Sequence, residues 1–171
     1  SVKMETQETM KIIAAGNIFT GTFERDGMGG ILTLGRNFEC RPNKLKGYYK
    51  YTSAKVSVSK GHLNEGEDDL CSLYIALTDE QITVNTNKGI YFDPNSSAVI
   101  AYGSISDEES KGADSFKEFT VDLEYKDLKR IPKYIIVVAS SSKYGDYMEG
   151  GKGSTMWLDD LELVYPKSME E

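Results

Sequence analysis

The sequence predicts an all-β protein, and within that class a jelly-roll β-sandwich of two antiparallel sheets. Apolar residues almost never recur at the i, i+3, i+4 spacing of an amphipathic helix, whereas short strand-like runs separated by Gly, Asn, Asp and Ser are frequent. About eleven such runs are present, more than one open sheet usually holds without splitting or curling. Two packed sheets explain this number and the turn spacing better than a closed barrel does.

The predicted strands differ in how much of their surface is buried. They cover residues 10–15, 18–24, 31–34, 47–51, 54–59, 70–77, 81–85, 98–106, 118–124, 134–140 and 155–165. Residues 119–125 alternate between apolar and polar, with Phe119, Val121 and Leu123 on the apolar side, so one face of this strand lies in water. Residues 134–139 include no charged or amide side chain, which indicates a strand covered on both faces.

The last strand changes its apolar face part-way along. Apolar residues occupy even positions up to Leu158 and odd positions from Leu161 onward, and the change falls at Asp159 and Asp160. A strand that keeps its core face through such a change needs a bulge. The two acids at the bulge offer the oxygen ligands that Ca²⁺ prefers, which makes them a candidate metal site. Alternatively, one acid points to solvent and the other accepts backbone N–H groups.

Composition and charge exclude several classes of function. The 171 residues fit one domain, residues 1–171, and contain no run of about 18 apolar residues that a membrane span needs. A net charge of −7 argues against a nucleic-acid partner. One His and two distant cysteines cannot form a zinc, iron–sulfur or haem site by local spacing. Whether Cys40 and Cys71 form a disulfide stays open, and we expect a monomer.

Tyrosine is the most frequent aromatic residue, and two groups of tyrosines are candidate glycan-binding residues. Tyr48, Tyr49 and Tyr51 lie together among lysines, and Tyr144 and Tyr147 lie in a Gly-rich loop. Aromatic faces stack on the apolar faces of sugar rings, while nearby polar groups bind the hydroxyls. The alternative is that these tyrosines are ordinary strand residues with buried rings.

The sequence offers no recognisable catalytic arrangement. Glycoside hydrolysis needs two facing carboxylates, and the adjacent acid pairs at 68–69, 108–109 and 159–160 lie in solvated loops or at the bulge. The single histidine, His62, lies in a loop and is interpreted as a surface residue, not as a general base. The prediction at this point is that the protein is not an enzyme.

Three stretches resemble a known family over nearly the whole chain. The first two are residues 14–23 (AAGNIFTGTF) and 41–51 (RPNKLKGYYKY). The third runs from residue 140 to residue 163 and includes 140–147 (SSSKYGDY) and 153–163 (GSTMWLDDLEL). They are similar to the putative carbohydrate metabolism domain of cell-envelope proteins from Bacteroides-type bacteria. The resemblance implies a sandwich like those of carbohydrate-binding modules, a preceding Ig-like domain in a longer protein, and export to the outer membrane, cell surface or periplasm, commonly as a lipoprotein.

The closing strand also resembles that of several carbohydrate-binding modules in which an acid helps to hold a structural calcium ion. This resemblance implies Ca²⁺ as a cofactor at Asp159 and Asp160, with Glu39 as a partner ligand. The predicted function is a non-catalytic glycan-binding domain of an exported bacterial protein, with polysaccharide or oligosaccharide as its partner. The alternative is a structural or protein-interaction module without a sugar site.

Overall fold

A computed structural model describes residues 1–167 and confirms the all-β prediction. All paired strands run antiparallel. The strands are β1 (Val2–Glu5), β2 (Gln7–Thr9), β3 (Ile12–Ala14), β4 (Asn17–Phe19), β5 (Gly21–Asp26), β6 (Gly29–Leu34), β7 (Arg36–Asn37), β8 (Lys44–Thr52), β9 (Ser72–Thr78), β10 (Ile82–Asn85), β11 (Val99–Ser104), β12 (Ala113–Asp122), β13 (Glu124–Tyr125), β14 (Tyr134–Ser140) and β15 (Thr155–Val164).

Helical structure is confined to three short segments in the described residues. They are the one-turn helix α1 (Asp107–Ser110) and two 3-10 turns at Thr86–Lys88 and Gly145–Tyr147. Helix α1 begins with a capping box, because the Ser106 hydroxyl accepts the N–H of Glu109 and the Glu109 carboxylate accepts the N–H of Ser106. Within residues 1–167, no helix is long and apolar enough to cross a membrane.

Two main sheets form the predicted sandwich. One has the strand order β1-β15-β8-β12, and the other has the order β13-β11-β9-β14-β4, with β7 also paired to β14. The core between them contains alternating side chains from both sheets, and Tyr49 meets Phe119 edge-to-face with ring centroids 5.9 Å apart. Its largest fully buried members include Tyr49, Tyr51, Phe119, Leu73, Ile75, Leu77 and Met156.

A third, smaller sheet covers the outer face of the six-stranded sheet. It has the order β10-β6-β5, and its Leu34 and Val84 pack against Ala76 of β9 and Ile136 of β14. Strands β9 and β14 are therefore apolar on both faces, which explains the unbroken apolar run predicted at 134–139. The prediction that this strand is covered on both faces is confirmed, although the sequence did not indicate which layer covers it.

Several boundaries differ from the prediction. The predicted strand at 10–15 is a hairpin of β2 and β3, because Met10 and Lys11 turn with φ values of 52° and 61°. Residues 54–59 make only isolated bridges, and β1 was missed because only one of its side chains is buried. Cys40 is exposed, Cys71 is buried, and the two thiols are not bonded to each other.

The predicted bulge in the last strand is confirmed. The pairing of β15 with β8 shifts register between Asp159 and Glu162, and Asp160 adopts a left-handed φ of 48°. Before the bulge Leu158 is buried in the core, and after it Leu163 packs against the same core. The extra residue thus keeps the apolar side chains of both halves on one face.

The backbone at Asp160 generates a stability prediction. A β-branched side chain is strongly disfavoured at positive φ, whereas glycine is not. We expect Asp160→Val to lower the free energy of unfolding by about 1–2 kcal/mol and Asp160→Gly to leave it unchanged or raise it slightly. Urea unfolding measures both values. The control is Glu162→Val, on the same strand beyond the bulge, which we expect to change stability by less than about 0.5 kcal/mol. Equal effects of Val at both positions would contradict the strain argument.

Candidate functional site

The structure separates the tyrosines of the first predicted group. Strand β8 alternates, so that Tyr49 and Tyr51 are 1% and 2% exposed while Tyr48 lies on the solvent face. The Tyr49 hydroxyl donates to the Glu109 carbonyl, and the Tyr51 hydroxyl donates to the Ser141 carbonyl. Because their rings fill the sandwich core, Tyr49 and Tyr51 cannot stack on a glycan, and their assignment was wrong. Tyr48 is thereby separated from Tyr49 and Tyr51.

The second predicted group lies in an aromatic row that joins three loops. The His62 ring stacks on Tyr144 with centroids 4.3 Å apart and contacts Tyr147 at 4.4 Å. Tyr147 in turn stacks on Tyr91 at 4.1 Å. The loops around residues 62, 91 and 145 are distant in sequence, and this row of rings holds them together.

The aromatic row forms one wall of a groove on the outer face of the six-stranded sheet. The groove has a volume of about 270 Å³. A second aromatic group lines it, in which Tyr74 stacks on Phe92 with centroids 4.9 Å apart and both rings approach Tyr102 at 6.0 and 6.1 Å. These side chains are half-buried, so part of each ring faces the groove. The result is a concave, largely aromatic surface with polar groups at its rim.

Glu149 fixes the loop that carries this wall. Its side chain is fully buried, and its carboxylate accepts the N–H groups of His62 and Leu63 and lies 2.9 Å from Nδ1 of His62. Burial acts to raise the pKa of Glu149, but the hydrogen bonds from Leu63 and His62 outweigh it and hold the pKa below its ordinary value. The same contacts orient the imidazole between the tyrosine rings. His62 is an exposed residue, as interpreted from the sequence, and Glu149 and the two tyrosines hold its ring in place.

Three charged side chains line the groove, namely Asp107, Lys143 and Asp146. The Lys143 ammonium lies 3.8 Å from the Asp107 carboxylate and 5.7 Å from the centre of the Tyr144 ring. Asp146 is an exposed residue at the edge of the groove, and partial desolvation of its carboxyl group raises the pKa of Asp146. These groups supply acceptors, a donor and a carboxyl that holds its proton more tightly than usual.

The predicted calcium ligands do not form a cluster. In the part of the chain that the structure describes, no three His, Cys, Asp or Glu side chains gather to hold a metal ion. Asp159 accepts the N–H of Asp160 and lies 3.6 Å from the N-terminal ammonium, while Glu39 is exposed. This arrangement fits the alternative in which the acids stabilise the bulge. Calcium binding stays a prediction, without a carboxylate cluster to support it.

The sequence analysis missed much of the groove. Tyr74 and Tyr102 lie on the outer faces of β9 and β11, and Tyr91 and Phe92 follow a 3-10 turn in the third layer's connection. The alternation Ser72, Tyr74 along β9 was a usable signal, since it places a large ring on the face opposite the core. Nothing local in the sequence indicates that residues 62, 91 and 147 meet.

A family profile described as "putative carbohydrate metabolism domain" matches residues 1–164. The chain belongs to this family. The resemblance predicted from the three quoted stretches is thereby confirmed. None of the proteins of curated function matches the chain.

Two crystal structures are similar to this family member. A putative glycoside hydrolase from Bacteroides thetaiotaomicron VPI-5482 is 27% identical, with a TM-score of 0.74 over 97% of this chain and 53% of that one. A putative glycoside hydrolase from Bacteroides vulgatus ATCC 8482 is 24% identical, with a TM-score of 0.69 over 95% of this chain and 71% of that one. The second likeness shows the fold alone, and the chain spans about half the length of the first protein.

The prediction that the protein is not an enzyme is contradicted by the first of these similarities, because that protein is described as a putative glycoside hydrolase. The prediction was drawn from adjacent acid pairs and local nucleophile motifs. Carboxylates that act on a glycosidic bond come from separate segments of a fold, so local spacing holds little information about them.

Glu149 generates a prediction of pH dependence. Because its pKa is lower in the folded state, its contribution to stability is present above the ordinary value of 4.5 and is lost as pH falls through the folded pKa. At neutral pH we expect Glu149→Gln to lower the free energy of unfolding by about 1–3 kcal/mol, since acceptors of buried N–H groups are weakened. That difference should shrink as the pH falls below 4.5.

Urea unfolding from pH 7 to about 3 measures the difference between variant and wild type at each pH. The matched control is Glu108→Gln, at a fully solvated position of α1, which should show a small difference at every pH. A Glu149→Gln deficit that is independent of pH would contradict the assignment of the effect to an ionised carboxylate.

Proposed function

We propose that the aromatic groove binds carbohydrate and recognises the glycan substrate of a carbohydrate-metabolising protein. One observation carries the proposal, namely that six aromatic side chains from separate segments line one concave surface. The rings belong to Tyr74, Tyr91, Phe92, Tyr102, Tyr144 and Tyr147, and His62 stacks on Tyr144 beside them. Membership of the putative carbohydrate metabolism domain family also supports a carbohydrate ligand.

The chemistry of the groove suits a sugar. A pyranose presents axial C–H groups on its faces and hydroxyls around its edge, so it packs against a ring and hydrogen-bonds at its rim. Here the tyrosine rings supply the faces, while Asp146, Asp107 and Lys143 supply acceptors and donors at the edge. A volume of about 270 Å³ suits one or two sugar units of a longer chain.

A purely structural module would leave its aromatic residues buried in the core or scattered over the surface. Tyr49 and Tyr51 do lie in the core, but the rings at the groove form two groups in mutual contact, with centroid spacings between 4.1 and 6.4 Å within each group. Ordered rings that remain partly accessible are typical of a binding surface. The geometry therefore favours sugar recognition over the structural alternative. Export to the cell envelope and a preceding Ig-like domain stay predictions from the family resemblance.

The affinity of one such site is modest, because the gain from stacking is partly offset by ordering the ligand. We expect binding to be detected on an array of plant, host and bacterial glycans and then measured by calorimetry with the best oligosaccharide. Tyr147→Ala should weaken that binding roughly three- to tenfold, since each aromatic contact contributes about 0.5–1.5 kcal/mol. Tyr147→Phe should retain most of it.

The matched control is Tyr48→Ala. Tyr48 is exposed to a similar extent, at 41% against 37% for Tyr147, but lies on the four-stranded sheet away from the groove. We expect this variant to bind like the wild type. No binding on the array, or a loss caused by Tyr48→Ala and not by Tyr147→Ala, would refute the assignment of the groove.

A further inference from the structure

A small hollow adjoins the aromatic groove, between the third sheet and the six-stranded sheet. It has a volume of about 70 Å³. Four residues line both the hollow and the groove, namely Ser72, Tyr74, Lys143 and Asp146. A ligand that lies against the rings of the groove can therefore reach into the hollow with one of its substituents.

The wall of the hollow is apolar and comes from both sheets. Its apolar side chains are Leu32 and Leu34 of β6, Val84 of β10, Phe19 of β4 and Val138 of β14. Leu34 and Val84 are 2% and 1% exposed, and they form one cluster in which Phe19 and Val138 also pack. Because the packing of two sheets holds these side chains, the shape of the hollow does not depend on a ligand.

The hollow is too small for a sugar ring but large enough for a substituent of one. A water molecule takes up roughly 30 Å³ in the liquid, so a volume of about 70 Å³ holds a group of about two or three non-hydrogen atoms. Water bonds poorly to apolar walls, and its displacement by an apolar group is favourable. The shape and the wall therefore suit a short substituent with an apolar end.

The rim of the hollow is polar and contains both donors and acceptors. Asn17, Ser72 and Ser140 supply amide and hydroxyl groups, and Lys143 and Asp146 carry opposite charges. The Lys143 ammonium already lies 3.8 Å from the carboxylate of Asp107. An anionic substituent would face Asp146 in a protein with a net charge of −7, which is unfavourable. A neutral group with its own donor and acceptor suits this rim.

We propose that the hollow is a subsite for the acetamido substituent of an N-acetylhexosamine, so that the groove recognises glycans that contain this sugar. The methyl group contacts the apolar wall, while the amide N–H and carbonyl pair with acceptors and donors of the rim. The sugar ring lies against the aromatic side chains, of which Tyr74 borders both cavities. This proposal rests on the proposed function of the groove and names the class of glycan that it binds.

The other common substituents at the same position of a sugar fit the hollow less well. A hydroxyl group leaves most of the apolar wall in contact with water. The ammonium group of a deacetylated sugar would lose part of its hydration beside Leu32 and Val138. Burial of one methyl group together with its amide predicts an affinity about fivefold higher than that of the hydroxyl counterpart.

The experiment compares glycans that differ only in this substituent. An array of hexose and N-acetylhexosamine glycans with matched linkages, such as cellotetraose and chitotetraose, identifies the pair that binds best. Calorimetry then measures both members of that pair. We expect the N-acetylated member to bind about fivefold more tightly or better. In saturation-transfer NMR on the wild type, the acetyl methyl protons should receive the strongest saturation of all ligand protons.

Two variants fill the hollow from opposite sides. Val138→Phe adds a ring from β14, and Leu32→Phe adds one from β6, and neither residue lines the groove. We expect each variant to bind the N-acetylated glycan no more tightly than the hexose glycan. Affinity for the hexose glycan should stay within about twofold of the wild type, and this retained binding also shows that the variant is folded.

The matched control is Ile18→Phe, which adds a ring on β4 outside both cavities. Ile18 is 41% exposed and lines a different cavity, next to Leu161. We expect this variant to keep the wild-type preference for the N-acetylated glycan. Tyr147→Ala should weaken both members of the pair by the same factor, because Tyr147 lines the groove and not the hollow.

The outcomes separate the subsite from the proposed function. Equal binding of both members of the pair, or an acetyl methyl group saturated no more than the ring protons, would overturn the subsite and leave glycan recognition intact. A preference that survives the filling variants, or that Ile18→Phe also removes, would overturn it as well. Absence of binding to every glycan on the array would overturn the proposed function and this inference together.

Discussion

The groove depends on one buried carboxylate, that of Asp69. Its Oδ2 accepts hydrogen bonds from the Ser142 hydroxyl at 2.6 Å, the Ser154 hydroxyl at 2.8 Å and the Gly151 N–H at 2.9 Å, and its Oδ1 accepts the Leu70 N–H at 2.8 Å. Asp69 is 1% exposed, so these bonds replace the water that its charge would otherwise require. Removing this acceptor would leave buried donors of the loop from 142 to 154 unpaired, at a cost of about 1–3 kcal/mol for each. Asp69 therefore holds this loop in place.

The hydrogen-bond network around Asp69 requires particular residues at other positions. Thr6 bonds through its hydroxyl to Ser141 and Ser142 at 2.7 and 2.6 Å, and so connects the N-terminal segment to the same network. A Cβ on Gly151 would lie 2.5 Å from the carbonyl oxygen of Lys55, so only glycine fits there. The loop is therefore fixed from inside by polar contacts, which leaves its outer side chains available to form the groove wall.

The anchored loop and the third sheet together explain why the groove lies on the outer face of the six-stranded sheet. The third sheet covers one part of that face through Leu34 and Val84, and the loop rises beside the remainder. Between them, the half-buried rings of Tyr74 on β9 and Tyr102 on β11 form the floor of the groove. A two-layer sandwich without the extra sheet would present this face as an open plane, so the third layer is what makes the surface concave.

Local patterns in the sequence predicted the features that depend on local geometry. The bulge at Asp159 and Asp160 could be predicted because side-chain direction in a strand has a period of two and a slip is visible in the residues themselves. The same rule applied to β8 places Tyr49 and Tyr51 on one face, with Tyr48 opposite, and treating the three as a single group overlooked it. Alternation is informative only when adjacent aromatic residues are assigned to opposite faces.

Long-range contacts determine the surroundings of the carboxyl groups, and these surroundings could not be predicted from the sequence. Asp69, Asp146 and Glu149 all lie in polar loops rich in glycine, and nothing in their neighbours distinguishes them. In the fold, Asp69 is surrounded by donors, Glu149 holds the backbone of a different loop, and Asp146 faces a cavity without a partner among the described residues. The chemistry of a carboxyl group is set by which groups surround it. Here Asp69 accepts from Ser142 across 73 positions, and Glu149 contacts His62 across 87 positions.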